Sequence, residues 1–178
     1  MIVEPISAKL ANGMLTYFQG EKLEALVFIL PIGLLSLVFG CWLLVEARAS
    51  FARGVAIPFL VMGLLMTAVG AMVGFRTPSQ LRQLQQDAVA APLQVTQSEI
   101  TRMAQVNGKW TGYLVIWGVM GVMGLALRFA TKGDLTQGLG IALVFFSGVG
   151  LLVDGFAERR THPYVSTLRA IVPAPDTP

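Results

Sequence analysis

Four apolar stretches constrain what this chain can fold into. They run from about Ala25 to Val45, Val55 to Phe75, Trp110 to Phe129 and Leu139 to Ala157, and none has Lys or Arg in its central turns. Each is about 20 residues long, which an α-helix needs to cross the hydrocarbon core of a bilayer. In lipid the backbone must satisfy its own hydrogen bonds, so stretches of this kind become helices. The composition agrees. Charged residues make up 13% of the 178 and the mean hydropathy is +0.68, against about 25% charged in soluble domains. The expected fold is an all-α membrane protein with four transmembrane helices in two hairpins.

The connections divide the chain further. Glu46 to Gly54 and Ala130 to Gly138 are short, so they close the two hairpins. Residues 1–24 form an N-terminal segment, 25–157 the transmembrane bundle and 158–178 a C-terminal tail. A polar linker, Arg76 to Lys109, lies between the hairpins and is expected to be helical. A helix should start at Thr77-Pro78 and be interrupted by Pro92. Thr96 and Glu99 have the spacing of a capping box, and the helix after them should run on into the third span. Pro31 and Pro58 fall in early turns of their spans, where proline costs least. No cleaved signal is expected, because about two dozen mostly polar residues precede the first apolar run.

Positive charge orients the bundle. Nine basic residues fall on one side (Lys9, Lys22, Arg76, Arg82, Arg102, Lys109, Arg159, Arg160, Arg169) and four on the other (Arg48, Arg53, Arg128, Lys132). The excess predicts that both termini and the linker lie in the cytoplasm. Trp110, Tyr113 and Trp117 read as interfacial anchors, with Trp42 near the far end of the first span. The net charge of +3 is too small and dispersed for nucleic acid.

Small residues recur within the spans. Gly63, Gly70 and Gly74 lie on the second, Gly118 and Gly121 on the third, and Ser147 and Gly148 on the fourth. They let helices approach closely, either within one bundle or against a partner helix, and a homodimer seam stays open. The favoured partner face is on the second or fourth span. Cys41, the single cysteine, reads as a buried, inert thiol.

No pattern points to catalysis. There is one His and one Cys, without the spacing of a metal site, a nucleophile beside a base, or a phosphate loop. Glu158 and His162 share a helix spacing, but Pro163 and the nearby arginines favour a solvated helix end. The chain is read as having no enzymatic activity, cofactor or metal.

Charge does gather at one membrane edge. Asp154, Glu158, Arg159 and Arg160 follow fifteen uncharged residues, Leu139 to Val153. The topology brings Glu24, Arg76 and Arg102 to the same level. Ionisable groups at that depth face protein or water and have partners. The expected arrangement is a belt in which Arg76 pairs with Asp154 or Glu158. It could fix helix depth, bind a partner or serve an ion path. The apolar central turns of all four spans argue against a path.

Glu21-Lys22-Leu23-Glu24-Ala25-Leu26, Arg76-Thr77-Pro78, Arg102-Met103, and Asp154 to Arg160 with Tyr164 and Leu168 carry a resemblance. Over about Glu21 to Arg169 the chain resembles small four-span bacterial inner-membrane proteins. That group is associated with immunity to secreted interbacterial toxins, type VI secretion included. The resemblance implies a membrane-embedded protein that binds a pore-forming toxin. The alternatives are an accessory subunit of a membrane complex or, less in keeping with the apolar midplane, a small ion channel or transporter.

Overall fold

The computed structural model describes residues 6–46 and 49–172, all in helices or short turns at their ends. The first helix, α1, spans Ile6–Glu24 and passes through a π-helical turn, Ala25–Ile29, into α2, Leu30–Glu46. Then come α3 (Ser50–Ala90), α4 (Pro92–Asn107), α5 (Trp110–Ala130) and α6 (Asp134–Arg169). Four helices are long and apolar enough to cross a membrane: Ile6–Glu46, Ser50–Ala90, Pro92–Ala130 and Asp134–Arg169. The longest have 41 residues, about 60 Å of helix, roughly twice the thickness of a hydrocarbon core. Each is therefore apolar over one half and polar over the other.

The apolar halves pack through glycine. On α3, Gly70 lies against Leu30 and Gly74 against Leu26, while Gly40 of α2 meets Leu60. These pairs run in opposite directions, so the two helices are antiparallel. The helices α5 and α6 pair likewise, through Gly124 with Gly140 and Gly121 with Ser147. The two pairs meet where α3 crosses α6. There Gly54 sits against the Leu135 carbonyl and Gly138 against the Phe51 carbonyl. Phe59 stacks on Phe145 beyond that crossing. The principal contacts run α2 to α3 to α6 to α5, so α5 is outermost and rests on α6. Thr131, in the turn before α6, bonds to Thr136, and Gln137 donates back to the Thr131 carbonyl.

The polar halves form a second core. Leu10, Met14, Tyr17 and Phe18 of α1 gather with Ala88, Val95, Met103, Tyr164 and Leu168 from α3, α4 and α6. The stretch before the first apolar run is therefore a packed helix, with its apolar residues at i, i+4, i+7 and i+8 along one face.

Several local expectations are corrected. Pro31 lies deep within a continuous helix, just after the π-helical turn. Proline has no N–H to donate and crowds the preceding turn, and a wider turn relieves that conflict. The turn also resets the buried face. Ala25 and Gly33 are both buried, one place farther apart than the roughly 7.2 residues of two α-turns. Pro78 does not begin a helix, because α3 runs through it and ends at Ala90, one residue before the break at Ala91. The capping box does not form. Thr96 lies inside α4 and its hydroxyl donates to the Pro92 carbonyl. The long helix into the third span has one tightened turn at Gly108 and Lys109. Cys41 is exposed on the outer face, because the buried side of α2 is taken by Gly33, Ser36, Gly40 and Leu43. Arg48 and the tail 173–178 lie outside the described residues.

Candidate functional site

The residues of the expected belt separate into four groups. In the first, Glu99 is 3% exposed on the inner face of α4. Arg102 donates to it twice, from Nε and Nη2, both at 2.8 Å. Tyr164 Oη donates to the same carboxylate at 2.8 Å. Tyr17 stacks on Tyr164 with centroids 4.7 Å apart. The Arg102 guanidinium lies over Phe18 at 5.5 Å and Tyr17 at 5.9 Å. Burial pushes the Tyr164 hydroxyl well above the usual tyrosine range, and the Glu99 charge beside it adds to that. Burial likewise raises Tyr17, followed by the charge of Glu21. For Arg102, burial opposes the charge, but the bonds to Glu99 outweigh it and the net shift is upward.

The second group joins α1 to α6. Arg160 Nη1 donates to Glu24 Oε2 at 2.5 Å. The Arg160 guanidinium also lies 5.8 Å from the Tyr17 ring centroid. Glu24 Oε1 and Arg160 Nε are buried and have no hydrogen-bond partner among the described residues.

The third group lies about one turn within the fourth span. Asp154 Oδ2 accepts from Trp117 Nε1 at 2.5 Å. Trp117 thus faces inward, where its ring also covers Gly150. Its role as a plain interfacial anchor is corrected accordingly. In the fourth, Arg76 pairs with Glu21 at 3.7 Å, with more than half of the arginine side chain exposed. The expected pair with Asp154 or Glu158 does not form. Arg76 points toward α1, and Asp154 points toward α5. Glu158 is half-buried, and Arg159 and His162 are exposed.

The glycines divide just as sharply. Gly63, Gly70 and Gly74 are occupied by the first span, and Gly121 by Ser147. Ser147 Oγ donates to the Trp117 carbonyl at 2.7 Å. Gly118 and Gly148 have nothing within 4 Å of where a side chain would begin. A partner face through Gly70 and Gly74 is therefore corrected, since Leu30 and Leu26 of the first span already fill it.

Two hollows lie between the helix Ile6–Glu46 and α6. The upper one, about 320 Å³, is lined by Lys9, Thr16, Tyr17, Arg160, Pro163 and Thr167 among others. The lower one, about 360 Å³, is lined by Leu23, Glu24, Phe28, Val149, Leu152 and Phe156 among others, and again by Arg160. Among the described residues no three His, Cys, Asp or Glu side chains gather as metal ligands would.

Sequence reading missed Glu99, Tyr17 and Phe18. The signal was present: Glu99 occupies the apolar stripe of α4 formed by Val95 and Met103, where an acid requires a buried partner. No family model, curated protein or solved structure matches this chain.

Proposed function

We propose that the protein is a non-catalytic, multi-pass inner-membrane protein that binds a partner helix along its third span and thereby neutralises a membrane-active toxin. The observation that carries this is the one-sidedness of α5. It rests on α6, while Leu114, Val115, Ile116, Val119, Val122 and Met123 stay exposed. Gly112 and Gly118 interrupt that surface with open space. Helices gain no hydrophobic push toward each other in lipid, so close backbone approach at small residues is what a partner helix would use. A pore-forming toxin presents such helices in the bilayer before it assembles. The resemblance read over Glu21 to Arg169, to small four-span inner-membrane proteins that are candidate immunity proteins, suggests the choice of partner. In this reading the two antiparallel pairs are membrane hairpins, and the polar core is cytoplasmic.

The test uses a pore-forming toxin encoded beside this protein. Membrane potential is followed in cells expressing the toxin with the wild type, with Gly118→Leu and with Gly70→Leu. Wild type should prevent depolarisation. Gly118→Leu should accumulate normally yet fail to protect, because leucine has room in the free protein and blocks only a partner. Gly70→Leu should fail by misfolding, seen as lost accumulation. Depolarisation unchanged by wild type would overturn the toxin reading, and stoichiometric co-purification with a membrane enzyme or transporter would replace it with a subunit role. Recovery of a second copy of this chain, blocked by Gly118→Leu, would assign the face to a homodimer.

A further inference from the structure

The two hollows between the Ile6–Glu46 helix and α6 are consecutive parts of one groove. On the first helix the lining residues Lys9, Thr16, Gly20, Leu23 and Phe28 advance along a single side. On α6, Val149, Leu152, Phe156, Arg160 and Thr167 do the same. Arg160 lines both hollows and marks the change of character. Apart from Glu24 and Arg160, the lower part is lined by apolar residues and glycine. The upper part adds Lys9 and hydroxyl-bearing side chains.

We propose that this groove is a binding site for one anionic phospholipid, its acyl chain lying below Arg160 and its phosphate between Arg160 and Lys9. The claim is independent of the partner that α5 takes. Two observations carry it. The apolar part begins where the first apolar run begins, and from Leu23 to Ile32 it extends for about 14 Å of helix, a length suited to the upper part of an acyl chain. The ionisable groups lining the groove are Lys9, Arg160 and Glu24 alongside the tyrosines, so the fixed charge carries one excess positive, which a phosphodiester neutralises. A zwitterionic choline headgroup leaves the excess charge standing.

The experiment uses the full chain in bilayers of equal parts phosphatidylglycerol and phosphatidylcholine. The protein is extracted in mild detergent and retained lipid is identified by intact-complex mass spectrometry. Wild type should retain one phosphatidylglycerol per chain, favoured about fivefold over phosphatidylcholine, the effect of about one basic side chain near a membrane surface. Lys9→Gln should remove most of that preference, and its exposed position keeps the fold intact. Val149→Phe, which fills the apolar part, should lose both lipids while retaining the wild-type melting profile. Equal retention of the two lipids by wild type, or an unchanged preference in Lys9→Gln, would overturn the proposal. So would displacement of the lipid by inorganic phosphate as readily as by added phosphatidylglycerol, since the cationic edge would then be a site for free phosphate.

Discussion

Glu99 satisfies three donor atoms at once, two from Arg102 and one from Tyr164. Glu99→Gln keeps the shape but removes the charge. It should cost about 2–3 kcal/mol of polar-core stability, less than a fully enclosed pair because Arg102 is one-third exposed. Thermal unfolding in detergent measures it. Alkaline pH acts on the same cluster through the tyrosines. Burial holds the folded-state value of Tyr164 above that of the unfolded chain. The stability it contributes is complete below about pH 10 and declines above it, because the unfolded chain then releases its proton first. Tyr164→Phe should lower stability at neutral pH and flatten that alkaline decline; an equally steep decline in the variant would remove Tyr164 as its source. The two arginine pairs at the junction differ in the same physical terms. Arg160→Ala leaves Glu24 buried without its cation and should cost about 3 kcal/mol. Arg76→Ala, in a long and exposed pair, should stay within about 0.5 kcal/mol of wild type in the same melts.

At the scale of elements, α3 and α6 cross where Gly54 and Gly138 each face the other helix's backbone. Gly54→Leu should separate the two pairs and lower folded yield in detergent, whereas Gly118→Leu on the outer helix should leave yield unchanged. Size-exclusion profiles of the two variants compare them directly. The apolar parts of these helices were legible in the sequence because lipid tolerates so few alternatives for a 20-residue uncharged run. Their polar continuations were not. Pro78 and the residues before Ala25 resemble boundaries when judged locally, yet tertiary packing carries the helices through them. The candidate site was half legible for the same reason. Depth along a helix follows from counting residues, so Glu24, Arg102 and Arg160 could be placed at one level. The direction each side chain takes depends on neighbours from distant parts of the chain. Arg76 accordingly found Glu21, and Asp154 found Trp117.

At the scale of the whole molecule, the positive charges set a direct test of orientation. Reporter fusions at Ala49, Gln94, Lys132 and the C-terminus should read outside, inside, outside, inside. A periplasmic signal from the Gln94 fusion would invert the protein and move the polar core to the opposite face. Length has a mechanical consequence as well. The helices Ile6–Glu46, Ser50–Ala90 and Asp134–Arg169 each pass from the apolar half into the polar half without a break. Membrane-spanning helices tilt, on average by about 20°. A tilt of about 10° over about 30 Å of rod would carry its far end roughly 5 Å sideways. The polar core is clamped to those ends, so the rods cannot lean independently. The bundle therefore leans as a unit or strains its own clasp, and the Glu99 cluster sits where that strain would be felt.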